Sequence, residues 1–319
     1  MSKQIGILRS VVTVLAAAAF VSSWSSGFLL AAFVTIDTAA TTLLVWRFVP
    51  VAGVLVVIVL STGAFKDIRR SDLTHQAVVG LFAQFGYCVL VYAAIASGVA
   101  SGTTALVDAI QPLVVATLVG PLLGLRVRAA QWGGLVLGAL GVVLVVRSQL
   151  GESNAHPLAY LLPALAMVSL IIATFLDRRS TTRLPVLVTL TIHVVVTSVA
   201  LVVLAGMLGT LVPPASPMFW LQAALAAVFP TVVAYGLYWW LLRRVGITTL
   251  NALLFLVAPV TAAAGALLLG EPLTGLTLAG FALCGGGVAL VLASEARSNR
   301  AERSPEPPAT RKPHASVSR

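Results

Sequence analysis

Long stretches of Leu, Ala, Val and Gly recur along the chain, divided by short clusters rich in Arg, Pro, Ser and Thr. The apolar runs lie near residues 11 to 33, 39 to 60, 75 to 97, 101 to 123, 130 to 147, 157 to 176, 185 to 209, 218 to 242, 247 to 269 and 274 to 293. A helix rising about 1.5 Å per residue needs roughly 20 residues to cross the hydrocarbon of a bilayer, and each run is near that length. The runs are continuous rather than short and alternating, so their backbones must satisfy themselves as helices and not as barrel strands. The pattern predicts an all-α integral membrane protein with ten transmembrane helices.

Composition agrees. Hydrophobic residues make up 59% of the 319 positions, charged residues 9%, and the mean hydropathy is +1.02, which excludes a soluble globular domain. The first run contains "VVTVLAAAAFVSS", which looks like the core of a signal peptide, but it continues to Phe33 and is read as a retained span. Cys88 and Cys284 both fall inside apolar runs, where a small packing role is expected and no disulfide or metal pair.

The net charge of +10 changes the picture only through its placement. Basic residues do not gather on one face with interleaved aromatics, so no nucleic acid partner is expected. They sort by loop. With a cytoplasmic N-terminus, Lys3, Arg9, Lys66, Arg69, Arg70, Arg126, Arg128, Arg178, Arg179, Arg183, Arg243, Arg244 and six residues of the C-terminal tail all fall on one side. Arg147 alone lies near an outer loop, and Arg47 lies within a span. The positive-inside rule then predicts a multi-pass protein of the cell membrane with both termini cytoplasmic.

Gly124, Gly134 and Gly141 recur 146 residues later as Gly270, Gly280 and Gly287. Upstream the register slips by one, and "ALVDAIQPLV" (105 to 114) lies over "ALLFLVAPVT" (252 to 261), with Pro112 against Pro259. The chain therefore reads as a first five-helix repeat (10–147), a second (157–293) and a polar, Pro-rich tail (294–319) expected to be a disordered cytoplasmic segment. Five is odd, so the second repeat must enter the membrane from the opposite side. Inverted repeats are an architecture of secondary transporters that alternate access around a midplane site.

The runs "WSSGF", "VWRF", "SGTTALVDAIQPLVVATLV" and "ITTLNALLFLVAPVTAAAGALLLGEPLTGLTLAGFALCGGGVALVL" resemble the drug/metabolite transporter superfamily, in particular its EamA-type members with ten spans in two repeats. The resemblance covers residues 10 to 293. It implies an exporter of small metabolites, amino acids or drugs, driven by an ion or solute gradient without ATP. One departure is visible: Gly270-Glu271 closes the ninth span, whereas the first repeat reads Gly124-Leu125-Arg126.

Ionisable residues inside spans are costly, so they face the bundle interior or a cavity. Arg47, Asp108, His193 and Glu271 are the four. Thr104, Asp108 and Gln111 follow the spacing of one helix face, and Pro112 frees the carbonyl of Asp108 from its helical donor. Asp108 can hold a proton or a cationic group, or it can neutralise Arg47, which lies at a similar depth in span two. Arg47 can instead bind a substrate carboxylate or backbone carbonyls. Counting by 146 places His193 opposite Arg47, at the mirrored depth. Glu271 precedes Pro272 at the start of span ten, where a carboxylate suits a helix N-terminus.

In the second repeat Thr104, Asp108 and Gln111 become Asn251, Phe255 and Ala258, so the expected site is lopsided. One wall would be polar, from span four. The other would be apolar, from Phe255 with Tyr235, Tyr238 and Trp239, and Trp24, Gln84 and Tyr87 would complete it. Tyr235, near Pro230, is the best aromatic pocket residue, whereas Trp239 and Trp240 are expected to anchor span eight at the interface. A cavity facing both Arg47 and Asp108 would suit a zwitterion, and one facing Asp108 alone a lipophilic cation.

The glycines of spans five and ten allow close helix approach, and a homodimer through these spans is an expected partner arrangement beside the bilayer and a small-molecule substrate. No metal-ligand cluster, carboxylate pair at one depth, or nucleophile beside a histidine appears, so no enzyme activity and no cofactor are expected. A membrane scaffold or sensor is the alternative function, and it would require an extramembrane partner domain.

Overall fold

A computed structural model describes residues 2–34, 38–65, 68–99, 104–105, 108–109, 111–124, 127–149, 155–180, 184–269 and 274–301. The described residues are helices and their connections, with no strand among them. In chain order they are α1 (Ser2–Val34), α2 (Ala40–Thr62), α3 (Arg70–Gly80), α4 (Tyr87–Ala96), α5 (Gln111–Leu123), α6 (Ala129–Gln149), α7 (Leu161–Arg179), α8 (Val186–Leu208), α9 (Pro217–Ala227), α10 (Ala234–Val245), α11 (Ile247–Leu254), α12 (Val257–Leu269) and α13 (Gly275–Ala301). A π-turn (Leu81–Gly86) joins α3 to α4, and another (Val228–Val233) joins α9 to α10.

Among the described residues, seven helical stretches are long and apolar enough to cross a membrane: Val11–Val34, Ala40–Thr62, Arg70–Ala96, Pro157–Arg179, Val186–Leu208, Pro217–Val245 and Gly275–Ser294. Of the other three expected spans, the fourth lies partly outside the described residues and the fifth corresponds to α6, whose apolar stretch is Ala129–Leu144. The ninth is broken. α11 ends at Leu254, a turn follows at Phe255 and Leu256, and α12 carries Pro259, which cannot donate to the carbonyl of Phe255. Pro112 is buried in the first turn of α5, while residues 106–107 and 110 just before it lie outside the described set. Glu271 lies outside it as well. α13 continues to Ala301, so the segment expected to be disordered from 294 begins as helix.

The duplication is visible in the backbone. α2 and α8 begin and end 146 residues apart, and each closes on a left-handed glycine, Gly63 and Gly209, whose N–H caps the preceding turn. The two π-turns are 147 apart, so a second one-residue slip falls between the glycine caps and the π-turns.

Repeat-related helices also run antiparallel. Thr42, at the start of α2, donates to the carbonyl of Thr210 just past the end of α8, while Val59, near the end of α2, packs with Leu184 and Val188 at the start of α8. On α6 and α13 the contacts are two-fold symmetric. A Cβ on Gly134 would lie 2.6 Å from the Gly287 carbonyl oxygen, and one on Gly141 would lie 2.7 Å from that of Gly280. Since 134 and 141 map onto 280 and 287, each contact is the repeat image of the other. Helix association in lipid rests on packing of this kind, because hydrocarbon supplies no hydrophobic drive between helices. The glycine faces of α6 and α13 are thus occupied by each other within one chain.

Candidate functional site

The two π-turns position the site. A π-turn widens the helix and releases carbonyls from the ladder, which a side chain from a neighbouring helix can take up. Tyr235 of α10 donates to the Ala83 carbonyl of the first π-turn at 3.0 Å. Arg47 of α2 donates through Nη2 to the Pro230 carbonyl of the second at 3.0 Å, and through Nε to Thr231 at 2.6 Å. Each repeat therefore plugs the broken helix of the other. Cys88 and Tyr235, themselves repeat equivalents 147 apart, meet at 3.4 Å, which places the pseudo-two-fold axis beside them.

Around this axis lies a cavity lined by Trp24, Gly27, Phe28, Arg47, Tyr87, Cys88, Val91, Tyr92, Pro230 and Tyr235. Its free volume of about 30 Å³ is room for one or two waters. Arg47 is 2% exposed. Its Nη1 donates to Tyr92 at 3.0 Å, and its guanidinium carbon stands 4.8 Å from the Phe48 ring centroid and 5.7 Å from that of Tyr92. Trp24 packs against Tyr87, Tyr235 and Tyr238 with centroids 5.6, 5.2 and 5.5 Å away.

Asp108 stands one layer behind this wall. Trp24 Nε1 donates to the Tyr87 hydroxyl at 3.3 Å, and that hydroxyl donates to Asp108 Oδ2 at 3.0 Å. The carboxylate is 5% exposed, and its Oδ1 is buried without a hydrogen bond. Arg47 spends its bonds on Thr231, Tyr92 and Pro230 and makes none to Asp108, so the expected ion pair does not form. Both residues are buried, but Tyr87 and the cavity intervene.

Other expected site residues fall elsewhere. Gln111 donates to Asn251 at 3.1 Å, joining equivalent helices of the two repeats, and Thr104 is buried nearby in sequence; none of the three lines the cavity. Phe255 is buried against α6, where a Cβ on Gly138 would touch its ring. Gln84, on the first π-turn, is fully buried, and neither side-chain polar atom has a hydrogen bond. His193 Nε2 donates to Gln76 Oε1 at 2.8 Å, packs edge-on to Trp239 at 5.1 Å, and also lies away from the cavity. Trp239 is fully buried and is no interfacial anchor; Trp240 is partly exposed, with Arg244 5.1 Å from its ring.

Of the residues expected in the site, Trp24, Arg47, Tyr87 and Tyr235 converge on the cavity, and Asp108 touches it through Tyr87. Sequence reasoning missed Cys88, Val91, Tyr92 and Phe28. The first three share one face of α4 with Tyr87 at positions i, i+1, i+4 and i+5, a signal that was available. The π-turns had a proline to mark the second and nothing to mark the first.

A cavity on the axis between two inverted repeats is the construction of a membrane carrier. Residues 11–147 and 157–293 each match the EamA-like transporter family, and the chain belongs to it: it is a multi-pass membrane transporter of the drug/metabolite type. Among curated proteins no match is found. A solved structure titled "Crystal structure of protein" superposes with a TM-score of 0.72 at 21% identity, covering 89% of this chain and 99% of that one, which supports the same fold.

Proposed function

We propose that the protein is a ten-span secondary exporter of small organic solutes that works by alternating access, with both termini in the cytoplasm and the cavity around Arg47 as its central site. The observation that carries this reading is a buried cationic side chain lining a small cavity on the axis between inverted repeats. In that space only a water or two fits, so a solute binds when the repeats part and the cavity enlarges toward one face. The basic loops support the orientation.

Asp108 is the coupling group in this proposal. Its carboxylate reports to the cavity through Tyr87, so a change in its charge alters the aromatic wall directly. A homodimer through spans five and ten would use their lipid-facing sides, where Val136, Leu140 and Val143 are exposed.

Solute flux into proteoliposomes, measured with and without a pH gradient, tests the proposal. Gradient-driven accumulation in the wild type and its loss in well-folded Asp108→Asn are expected. Equal gradient dependence in the two would remove Asp108 from coupling, and no flux of any solute in a panel of carboxylates, amines and amino acids would count against transport itself.

A further inference from the structure

We infer that the carried solute is an organic anion with an apolar body, and that its carboxylate docks on Arg47; the inference rests on the transport reading above.

A guanidinium has five N–H donors. Thr231, Tyr92 and Pro230 take three, and these leave one N–H on each terminal nitrogen, the pair that grips a carboxylate as a fork. All three partners are neutral. No carboxylate among the described residues pairs with Arg47, and Asp108, behind the cavity wall, gives its bonded oxygen to Tyr87. The other groups that line the cavity are hydroxyls, a thiol, aromatic rings and aliphatic carbons. The lining therefore carries one uncompensated positive charge at low dielectric, where a second cation is strongly repelled and an anion attracted.

A purely structural arginine explains less. Tying α2 to the second π-turn needs donors to Thr231 and Pro230, and neutral donors would supply these without the cost of a buried charge. The charge becomes useful when an anion arrives. Trp24, Phe28 and Tyr92 then offer apolar surface for the rest of the solute, as pockets of this kind do. An ammonium would meet the Arg47 charge, while the Tyr92 hydroxyl is directed to the Gly27 carbonyl and Asp108 Oδ2 is taken by Tyr87.

The test is thermal stabilisation of the purified full-length protein by three probes of one shape: 3-phenylpropanoate, 3-phenylpropanamide and 3-phenylpropylamine, with phenylalanine as a zwitterion. A ligand that binds the folded state raises its melting temperature, by an amount that grows with the logarithm of concentration over Kd. Binding of 3-phenylpropanoate at least tenfold tighter than its amide is expected, with no stabilisation by the amine. Arg47→Gln should remove the difference between acid and amide, and Arg47→Lys should retain part of it. Should either variant fail to fold, the probe series on wild type decides alone. Equal binding of acid and amide, preference for the amine, or no stabilisation by either carboxylate probe would overturn the inference. Binding is read here without flux, so its failure leaves gradient-driven transport standing; tight binding without flux would fail the transport reading alone.

Discussion

Arg47 and His193 stand at the same point of two repeat-related helices, 146 residues apart, and their surroundings differ. Arg47 reaches the second π-turn and keeps two N–H groups beside a cavity. His193 faces α3, just ahead of the first π-turn, and is sealed by Gln76, which in turn donates to Asp177 at 3.1 Å, and by the Trp239 ring. Arg243, held by the Leu184 carbonyl and by Thr189 one turn earlier on α8, is the charged group nearby from α10.

The packing explains why one side is open and the other closed. Gly80 lets α8 come so near that a Cβ there would lie 2.7 Å from the Cα of His193. Its repeat counterpart, 147 residues on, is Ala227, which carries that Cβ. The glycine closes the helix contact on the His193 side, and an alanine stands at the equivalent point on the Arg47 side. A duplicated frame has thus been given two different interiors, with the cavity beside the Arg47 one.

The largest expected effect separates the two positions by binding. Arg47→Gln should weaken a bound carboxylate at least tenfold, about 1.4 kcal/mol, while His193→Gln leaves it within a few-fold, measured by stabilisation titrations on both variants. Next is the frame around Arg47. Thr231→Val removes the acceptor of its Nε and should cost about 1.5 to 3 kcal/mol of stability, the usual range for a hydrogen bond to a charged group.

The glycine swap sharpens the packing argument. Gly80→Ala forces the backbone of α8 outward and should cost about 1 to 3 kcal/mol. The reverse change, Ala227→Gly, should cost about 1 kcal/mol, the helix propensity difference alone. Unfolding of the two variants in one detergent compares them, and equal costs would mean the two sides pack alike.

How much of this was legible in the chain varies by element. The glycine spacing exposed the duplication, and counting by 146 placed Arg47 against His193, because both signals lie in the backbone period that sequence retains. The pairing of Arg47 was not legible. Whether it meets Asp108 or Thr231 depends on the rotation of α2 about its axis and on a π-turn that "LFAQFG" does not announce. Asp108 read correctly as buried, but a tyrosine between it and the cavity cannot be inferred from depth alone. Trp239 misled for a related reason: its neighbours Arg243 and Arg244 suggested an interface, while its side of α10 turns inward to His193.

Alternating access around the cavity is the central claim, and a native reporter sits in its wall. The chain has two cysteines, so Cys284→Ser leaves Cys88 as the single thiol, buried in the closed state and lining the site. The rate of its alkylation by a membrane-impermeant maleimide should be measured from each side of oriented vesicles. Labelling from both sides, slowed in parallel by 3-phenylpropanoate, is the predicted result; labelling from one side only, or from neither, would contradict the account.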